Sequence, residues 1–280
     1  MIVKVALVNG QERAVVSIED RGLLYGDGLF ETIAVRGGAP CRWSAHFARM
    51  ARGAERLGIP CPDAQLIRSE VDALVDGIEH AVLRLTLTRG GGGRGYRAPD
   101  VQLPTRILAL YPSPAPEVGP NNSAVQLRLC HTRLGENPLL AGIKHLNRLE
   151  QVLARSEWQR PEITDGLMTD YQGHLICGTM TNVFLVFDDG IVTPALDRCG
   201  VVGTTRSLVF ECAAVLGIPL AEREVPSAEL WRAQALFVTN SLLGMLPVAR
   251  LESWEYDDRA VPAPLLARVN QGVFQPEMPT

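Results

Sequence analysis

Lysine is almost missing from this chain. Of the 27 basic side chains among 280 residues, only Lys4 and Lys144 are lysine and the other 25 are arginine, well outside average usage. Nucleotide bias in the source genome accounts for the skew as a whole. Its consequence is chemical, because a reaction that needs a primary amine must use Lys144, Lys4 or the amino terminus. Cysteine occurs six times, at 41, 61, 130, 177, 199 and 212, but never as close as Cys-x-x-Cys. That scatter argues against a zinc site or a disulfide framework and fits reduced, cytoplasmic thiols. The five histidines do not cluster at metal-ligand spacing either. No apolar run approaches the ~20 residues that span a bilayer, so no membrane partner is expected. Residues 1–8 are short, carry Lys4 and lack a small-residue cleavage site, which reads as a strand and not as a signal peptide. Basic blocks are absent, and with a formal charge of −4 nucleic acid is not expected as a partner. Neither Gly-x-Ser-x-Gly nor His-Glu-x-x-His occurs, which removes two common hydrolase classes.

What is present is an ordinary globular composition, 46% hydrophobic and 21% charged, long enough for one large domain or two modest ones. Pro112-Ser-Pro-Ala-Pro-Glu-Val-Gly-Pro120 packs four prolines into nine residues. Proline fixes φ and removes amide donors, so 112–120 reads as a stiff connector between an N-terminal domain, 1–111, and a larger C-terminal domain, 121–280. In the first part, Ser44 can cap a helix in which Phe47, Met50, Ala51, Ala54 and Leu57 recur at helical spacing, with Gly58 as its stop. A second helix is expected over 64–79. The alternation of Ala81, Leu83, Leu85 and Leu87 with Val82, Arg84, Thr86 and Thr88 marks a strand. In the second part a strand covers Val125, Leu127 and Leu129, and Lys144 leads into a helix whose stripe is Leu146, Leu149, Val152 and Leu153. Strands are expected at 183–187 and 235–239, and between them a helix follows Gly203-Thr204-Thr205, with Leu208, Val209, Cys212, Val215 and Leu216 on its apolar face. Strands and helices mix without a strict βαβ repeat, which gives an α+β or mixed α/β class.

Four features carry possible chemistry, and each has two readings. Lys144, in Ala141-Gly-Ile-Lys-His-Leu-Asn147, is either a surface lysine at a helix start or a partly buried amine of lowered pKa, able to form a Schiff base. Gly203-Thr204-Thr205 offers amides, hydroxyls and a helix dipole to a phosphate, or is a bare N-cap. Arg49 either reaches a phosphate or is a solvated helical arginine. The run from Arg89 to Arg97 has no Gly-Lys-Ser/Thr and opens no Gly-x-Gly-x-x-Gly helix, so it is neither a P-loop nor a dinucleotide fingerprint. Its arginines either clamp a carboxylate or solubilise a hairpin tip.

Longer stretches break these ties. They are Asp20-Arg-Gly-Leu-Leu-Tyr-Gly-Asp-Gly-Leu-Phe-Glu31, Ser44-Ala-His-Phe-Ala-Arg-Met50, the block from Asp170 to Phe187 with Thr181-Asn182-Val183-Phe184, Thr193-Pro194, and Gly200-Val-Val-Gly-Thr-Thr-Arg206. In this order they resemble the fold-type IV pyridoxal-phosphate enzymes, a family of branched-chain and D-amino-acid aminotransferases and aminodeoxychorismate lyases. The segment 139–155 around Lys144 and the Arg-Gly-x-Gly-Gly-Arg-Gly-Tyr pattern at 89–96 are similar to the lyase branch. The resemblance implies a small N-terminal α+β domain, a larger C-terminal barrel-like domain, pyridoxal 5'-phosphate as cofactor and a homodimer. It implies Lys144 as the Schiff-base lysine and Arg49, Thr204 and Thr205 at the cofactor phosphate, with Asn240 a further cofactor contact. For the lyase branch the substrate is 4-amino-4-deoxychorismate, split into 4-aminobenzoate and pyruvate. Arg89, Arg94 or Arg97 would then bind a substrate carboxylate, and Tyr25 or Tyr96 would line the pocket. The alternatives are an aminotransferase on the same fold and a cofactor-binding protein without catalysis.

One position departs from the family. Five residues before Asn182 the resemblance expects a glutamate that pairs with the cofactor's pyridine nitrogen, and this chain has Cys177. Either Cys177 is a thiolate, or another group takes the role, or the ring is a weaker electron sink here.

Overall fold

The computed structural model describes residues 5–12, 15–92, 95–113 and 124–278. Lys4, Arg94 and most of the proline-rich stretch at 112–120 lie outside them. Contacts divide the chain into two units, one of Met1–Pro114, Ile143–Asn147 and Phe274–Thr280, the other of Ala115–Gly142 and Arg148–Val273.

The first unit is built on a six-stranded antiparallel sheet. Its elements are β1 (Val5–Val8), β2 (Gln11–Glu12), α1 (Arg21–Tyr25), β3 (Gly28–Arg36), β4 (Ala39–Pro40), α2 (Trp43–Leu57), α3 (Ala64–Val75), β5 (His80–Thr88) and β6 (Thr105–Pro112). The strand order is β2-β1-β6-β5-β3-β4. The alternation seen at 81–88 is the core register: Leu83, Leu85 and Leu87 are fully buried, while Arg84 and Thr86 are half-buried. Two helix expectations need correction. Asp76 and Gly77, the latter at φ +67°, turn the chain at the end of α3, so that helix stops at Val75 and not at 79. Ser44 is not the cap of α2. Arg42 is the N-cap, and Ser44 lies inside the first turn, where its N–H and hydroxyl bond the Glu277 carboxylate. The buried face of α2 is Trp43, His46, Arg49, Met50, Gly53 and Ala54, a stripe rotated from the apolar one because a buried ion pair outweighs apolar phase.

The second unit holds β7 (Val125–Leu129), α4 (Leu149–Arg155), β8 (Ile163–Thr169), β9 (Leu175–Gly178), β10 (Asn182–Phe187), β11 (Gly190–Pro194), α5 (Thr204–Leu216), β12 (Leu220–Arg223), β13 (Ala235–Asn240), β14 (Gly244–Leu251), β15 (Trp254–Glu255) and α6 (Ala263–Val273). Its nine-stranded sheet runs β12-β11-β10-β13-β14-β7-β8-β9, with β15 on β14, and curls into a half-barrel. The β11–β12, β14–β7 and β7–β8 pairs are parallel and the others antiparallel. β10 and β13 are buried on both faces, which is why 183–187 and 235–238 read as unbroken apolar runs. On one face Val183, Leu185, Leu236 and Val238 join the main core, and on the other Phe184 stacks on Phe237 at 4.6 Å between ring centroids. The expected stripe around 146–153 is not a buried one. The helix begins only at Leu149, and Leu149, Val152 and Leu153 are 77%, 56% and 61% exposed. On α5 the face through Leu208, Val209 and Cys212 is buried as expected, whereas Val215 and Leu216 are exposed.

Candidate active site

Lys144 belongs to the first unit, although its place in the sequence falls among residues of the second. Residues 143–147 lie antiparallel along the start of β3: the Phe30 N–H donates to the Lys144 carbonyl (3.0 Å) and the Leu146 N–H to the Gly28 carbonyl (2.9 Å). Only glycine fits at 28, because a Cβ there would stand 2.5 Å from the Leu87 carbonyl oxygen and 2.9 Å from Leu146. The Lys144 ammonium lies 4.4 Å from the centroid of the Phe30 ring, whose face attracts a cation. Lys144 therefore sits on an extended segment, half-buried, and not at the start of a helix.

Next along β3, Glu31 is 1% exposed and receives two residues from α2. Three positions apart on a helix, His46 and Arg49 share a face. Arg49 grips the carboxylate with Nε (2.7 Å to Oε1) and Nη2, and His46 Nδ1 stands 2.6 Å from Oε2. Because a carboxylate only accepts, His46 carries its proton on Nδ1. Burial by itself would raise the Glu31 pKa, but the Arg49 charge and bonds, aided by His46, bring it down to about 2 from 4.5. Burial pushes the His46 pKa below its ordinary 6.5 against the pull of Glu31, and the charges of Arg49 and Lys144 add to the depression. The first unit thus brings the expected Lys144 and Arg49 into one cluster, with Glu31 and His46 as members that sequence reasoning missed. The acidic residue at the end of the Asp20–Glu31 motif was the available signal.

A second cluster in this unit holds the residues expected at the substrate. Tyr25, the last residue of α1, meets Tyr96 edge to face at 5.4 Å, and the Arg21 guanidinium lies 4.9 Å from the Tyr25 centroid. Arg21 also donates to the carbonyls of Gly95 (2.9 Å), Tyr96 (3.0 Å) and Arg97 (3.4 Å), and its Nε to Asp27 (2.9 Å). Arg89 corrects an expectation. Its five N–H groups go to both oxygens of Asp27, to the carbonyls of Leu57 and Gly58 and to Gln102, which leaves none for a substrate carboxylate. Arg97 is 84% exposed and paired with Asp100 at 2.7 Å. Arg94 lies outside the described residues.

In the second unit, Thr204 and Thr205 open α5 and are 6% and 1% exposed. The N-cap is Gly203, which supplies no side-chain cap, and Thr205 Oγ1 is buried without a hydrogen-bond partner among the described residues. A helix N-terminus with an orphan hydroxyl in its first turn suits a phosphate, so this donor set fits the cofactor that the sequence implies. Asn240 accepts the N–H groups of Leu242 (2.9 Å) and Leu243 (2.7 Å), and its side-chain oxygen thereby closes the turn between β13 and β14. Cys177, on β9, lies in an apolar cluster with Met168, Ile176, Leu196, Cys130 and Cys199. Burial first, then the neighbouring Cys199 and Asp165, push its thiol up to about 12. Of the three readings of this position, burial disfavours the thiolate.

Residues 28–251 match the amino-transferase class IV family, and the chain belongs to that family. Within it, the sequence is 37% identical over 248 residues to the aminodeoxychorismate lyase of Vibrio harveyi, covering 89% of this chain and 92% of that one. The structure superposes on the 4-amino-4-deoxychorismate lyase of Pseudomonas aeruginosa with a TM-score of 0.88 and 43% identity, over 95% of this chain and 97% of that one. A D-alanine aminotransferase of Bacillus licheniformis is 28% identical over 263 residues, 91% of this chain and 89% of its own.

Proposed function

We propose that this chain is a pyridoxal-phosphate-dependent 4-amino-4-deoxychorismate lyase, which releases 4-aminobenzoate and pyruvate for folate synthesis. The observation that carries it is the placement of Lys144 along β3, next to the buried Glu31–His46–Arg49 cluster. The likeness to lyases at 37% and 43% identity supports the lyase over the aminotransferase reading.

Pyridoxal phosphate, when bound, supplies a conjugated ring that takes up the electron pair released at substrate C4. Lys144 is the amine that holds the cofactor and then accepts the C4 proton. The same Nζ gives a proton to the enolpyruvyl group as it leaves C3, so the two transfers balance and no external acid is consumed. Arg49, Thr204 and Thr205 are assigned to the cofactor phosphate, with Glu31 keeping the Arg49 guanidinium in one orientation. Cys177, held as a neutral thiol, supplies no anion to the pyridine nitrogen. An elimination driven by forming an aromatic ring tolerates that better than a transamination does. Tyr25 and Tyr96 are assigned to the substrate pocket, and Arg94 or Arg97 to a substrate carboxylate. A second copy of the chain is the expected partner, since the exposed apolar row on α4 suits an interface. The six free cysteines suit a reducing, cytoplasmic setting.

The test is the purified protein with 4-amino-4-deoxychorismate, alongside Lys144→Ala. Release of 4-aminobenzoate is expected, with turnover about a thousandfold lower in the variant and the visible cofactor band lost. Sustained exchange between amino and keto acids without 4-aminobenzoate would move the chain to the aminotransferase reading. A visible band unchanged in Lys144→Ala would overturn the role of the lysine.

A further inference from the structure

The first turn of α5 is held from outside the helix. Asn182, the first residue of β10, donates through Nδ2 to the Val201 carbonyl (2.9 Å), and its Oδ1 accepts the Gly203 N–H (3.1 Å). One side chain thus brackets residue 202 and sets the path by which the chain enters the helix. A Cβ on Gly203 would lie 2.2 Å from Asn182 Oδ1, so the contact closes only around glycine. Because Asn182 occupies the Gly203 amide, an anion at this end is left to the turn that follows. That turn carries the buried Thr205 hydroxyl, which has no hydrogen-bond partner among the described residues.

Asn182 is itself held. Its backbone is fixed opposite Thr239 in the β10–β13 ladder. The loop that leads into it, 179–181, is tied to the carboxylate of Asp165 on β8, which is fully buried. Asp165 accepts the N–H and hydroxyl of Thr179, the Met180 N–H (3.3 Å) and the Thr181 hydroxyl (2.7 Å), besides the N–H of its own neighbour Gly166 (2.8 Å). Four donors of this loop converge on one buried carboxyl, whose pKa burial raises while its hydrogen bonds pull it back, and they hold the loop in one arrangement.

We infer that Asn182, anchored through the 179–181 loop by Asp165, is the positioning residue for the cofactor's phosphate end, acting through Gly203 and the first turn of α5. The inference rests on the assignment of Thr204 and Thr205 to the phosphate. It separates a phosphate-specific role from general support of the fold, because pyridoxal offers the same ring and aldehyde without the phosphate.

The test uses the full-length protein freed of cofactor, as wild type and as Asn182→Ala. Pyridoxal 5'-phosphate and pyridoxal are titrated separately by equilibrium dialysis, and thermal unfolding is followed with and without inorganic phosphate. In the variant, the dissociation constant of the phosphorylated form is expected to rise about tenfold and that of pyridoxal to stay within about twofold. Phosphate is expected to raise the unfolding temperature of the wild type and not of the variant. Should Asn182→Ala fail to fold, Thr181→Val removes one tether to Asp165, and a rise of about threefold is expected, again confined to the phosphorylated form. Equal losses for both compounds, or no loss for either, would overturn the role of Asn182. A wild type that binds pyridoxal as tightly as its phosphate would overturn the phosphate assignment itself, and that result is visible before any variant is made.

Discussion

At the scale of the residue, the Glu31–His46–Arg49 cluster couples the site to acid. Glu31 titrates near 2 in the folded chain against 4.5 when free. Its charged form therefore contributes stability at every pH above 4.5, on the order of 3 kcal/mol, and this is lost as pH falls through 2. His46 works in the same direction, because its folded pKa lies below 6.5 and protonation below that pH opposes the buried neutral ring. The urea midpoint is expected to fall with acid in two stages, the lower one between pH 4.5 and 2. Glu31→Gln is expected to flatten the lower stage, and at pH 7 it should cost about 3 kcal/mol, because the buried Arg49 loses the carboxylate that offsets its charge. An acid limb as steep in Glu31→Gln as in wild type would locate the sensitivity elsewhere. None of this was legible from the Arg49 segment alone, because the partner carboxylate comes from β3, 18 residues earlier in the chain.

At the scale of the element, burial decided what periodicity could not. The strands were plain in sequence, since period-two alternation marks 81–88 and the apolar runs at 183–187 and 235–238 are too short for a helix. Helix faces were less so. The stripe on α2 was misphased because a paired histidine and arginine are buried on it. The apolar row on α4 faces solvent, because an apolar stripe in sequence does not separate core from interface. The 95–97 loop shows a further limit, because the residue that holds it, Arg21, lies about 75 positions away. Its N–H groups bond three successive carbonyls of that loop. Lysine has the charge but lacks the planar fork that reaches several acceptors at once. Arg21→Lys is expected to raise KM for the substrate about tenfold with kcat nearly kept, and to speed proteolytic cutting within 95–97. A variant with kcat reduced and KM unchanged would argue against loop placement as the function of Arg21.

At the scale of the whole molecule, the exposed Leu149, Val152 and Leu153 lead to an expectation about assembly. Sedimentation should give a homodimer, and Val152→Glu with Leu153→Glu should shift it toward monomer, because like charges would then meet in an apolar contact. A monomeric wild type at micromolar concentration would remove the dimer from the proposal. No helix among the described residues is long and apolar enough to cross a membrane.

Sequence by itself determined the chemistry available to this protein. With two lysines in 280 residues, the amine was nearly fixed by counting, and motifs with fixed spacing gave the family. Only the tertiary structure decided the environments. It gave Lys144 an extended segment on β3 in place of a helix start, committed all five Arg89 donors to the protein, and kept Cys177 a thiol by burying it. The physical reason is the same in each case. Residue type and spacing are written along the chain, whereas pKa, donor availability and burial depend on groups that folding brings from distant positions.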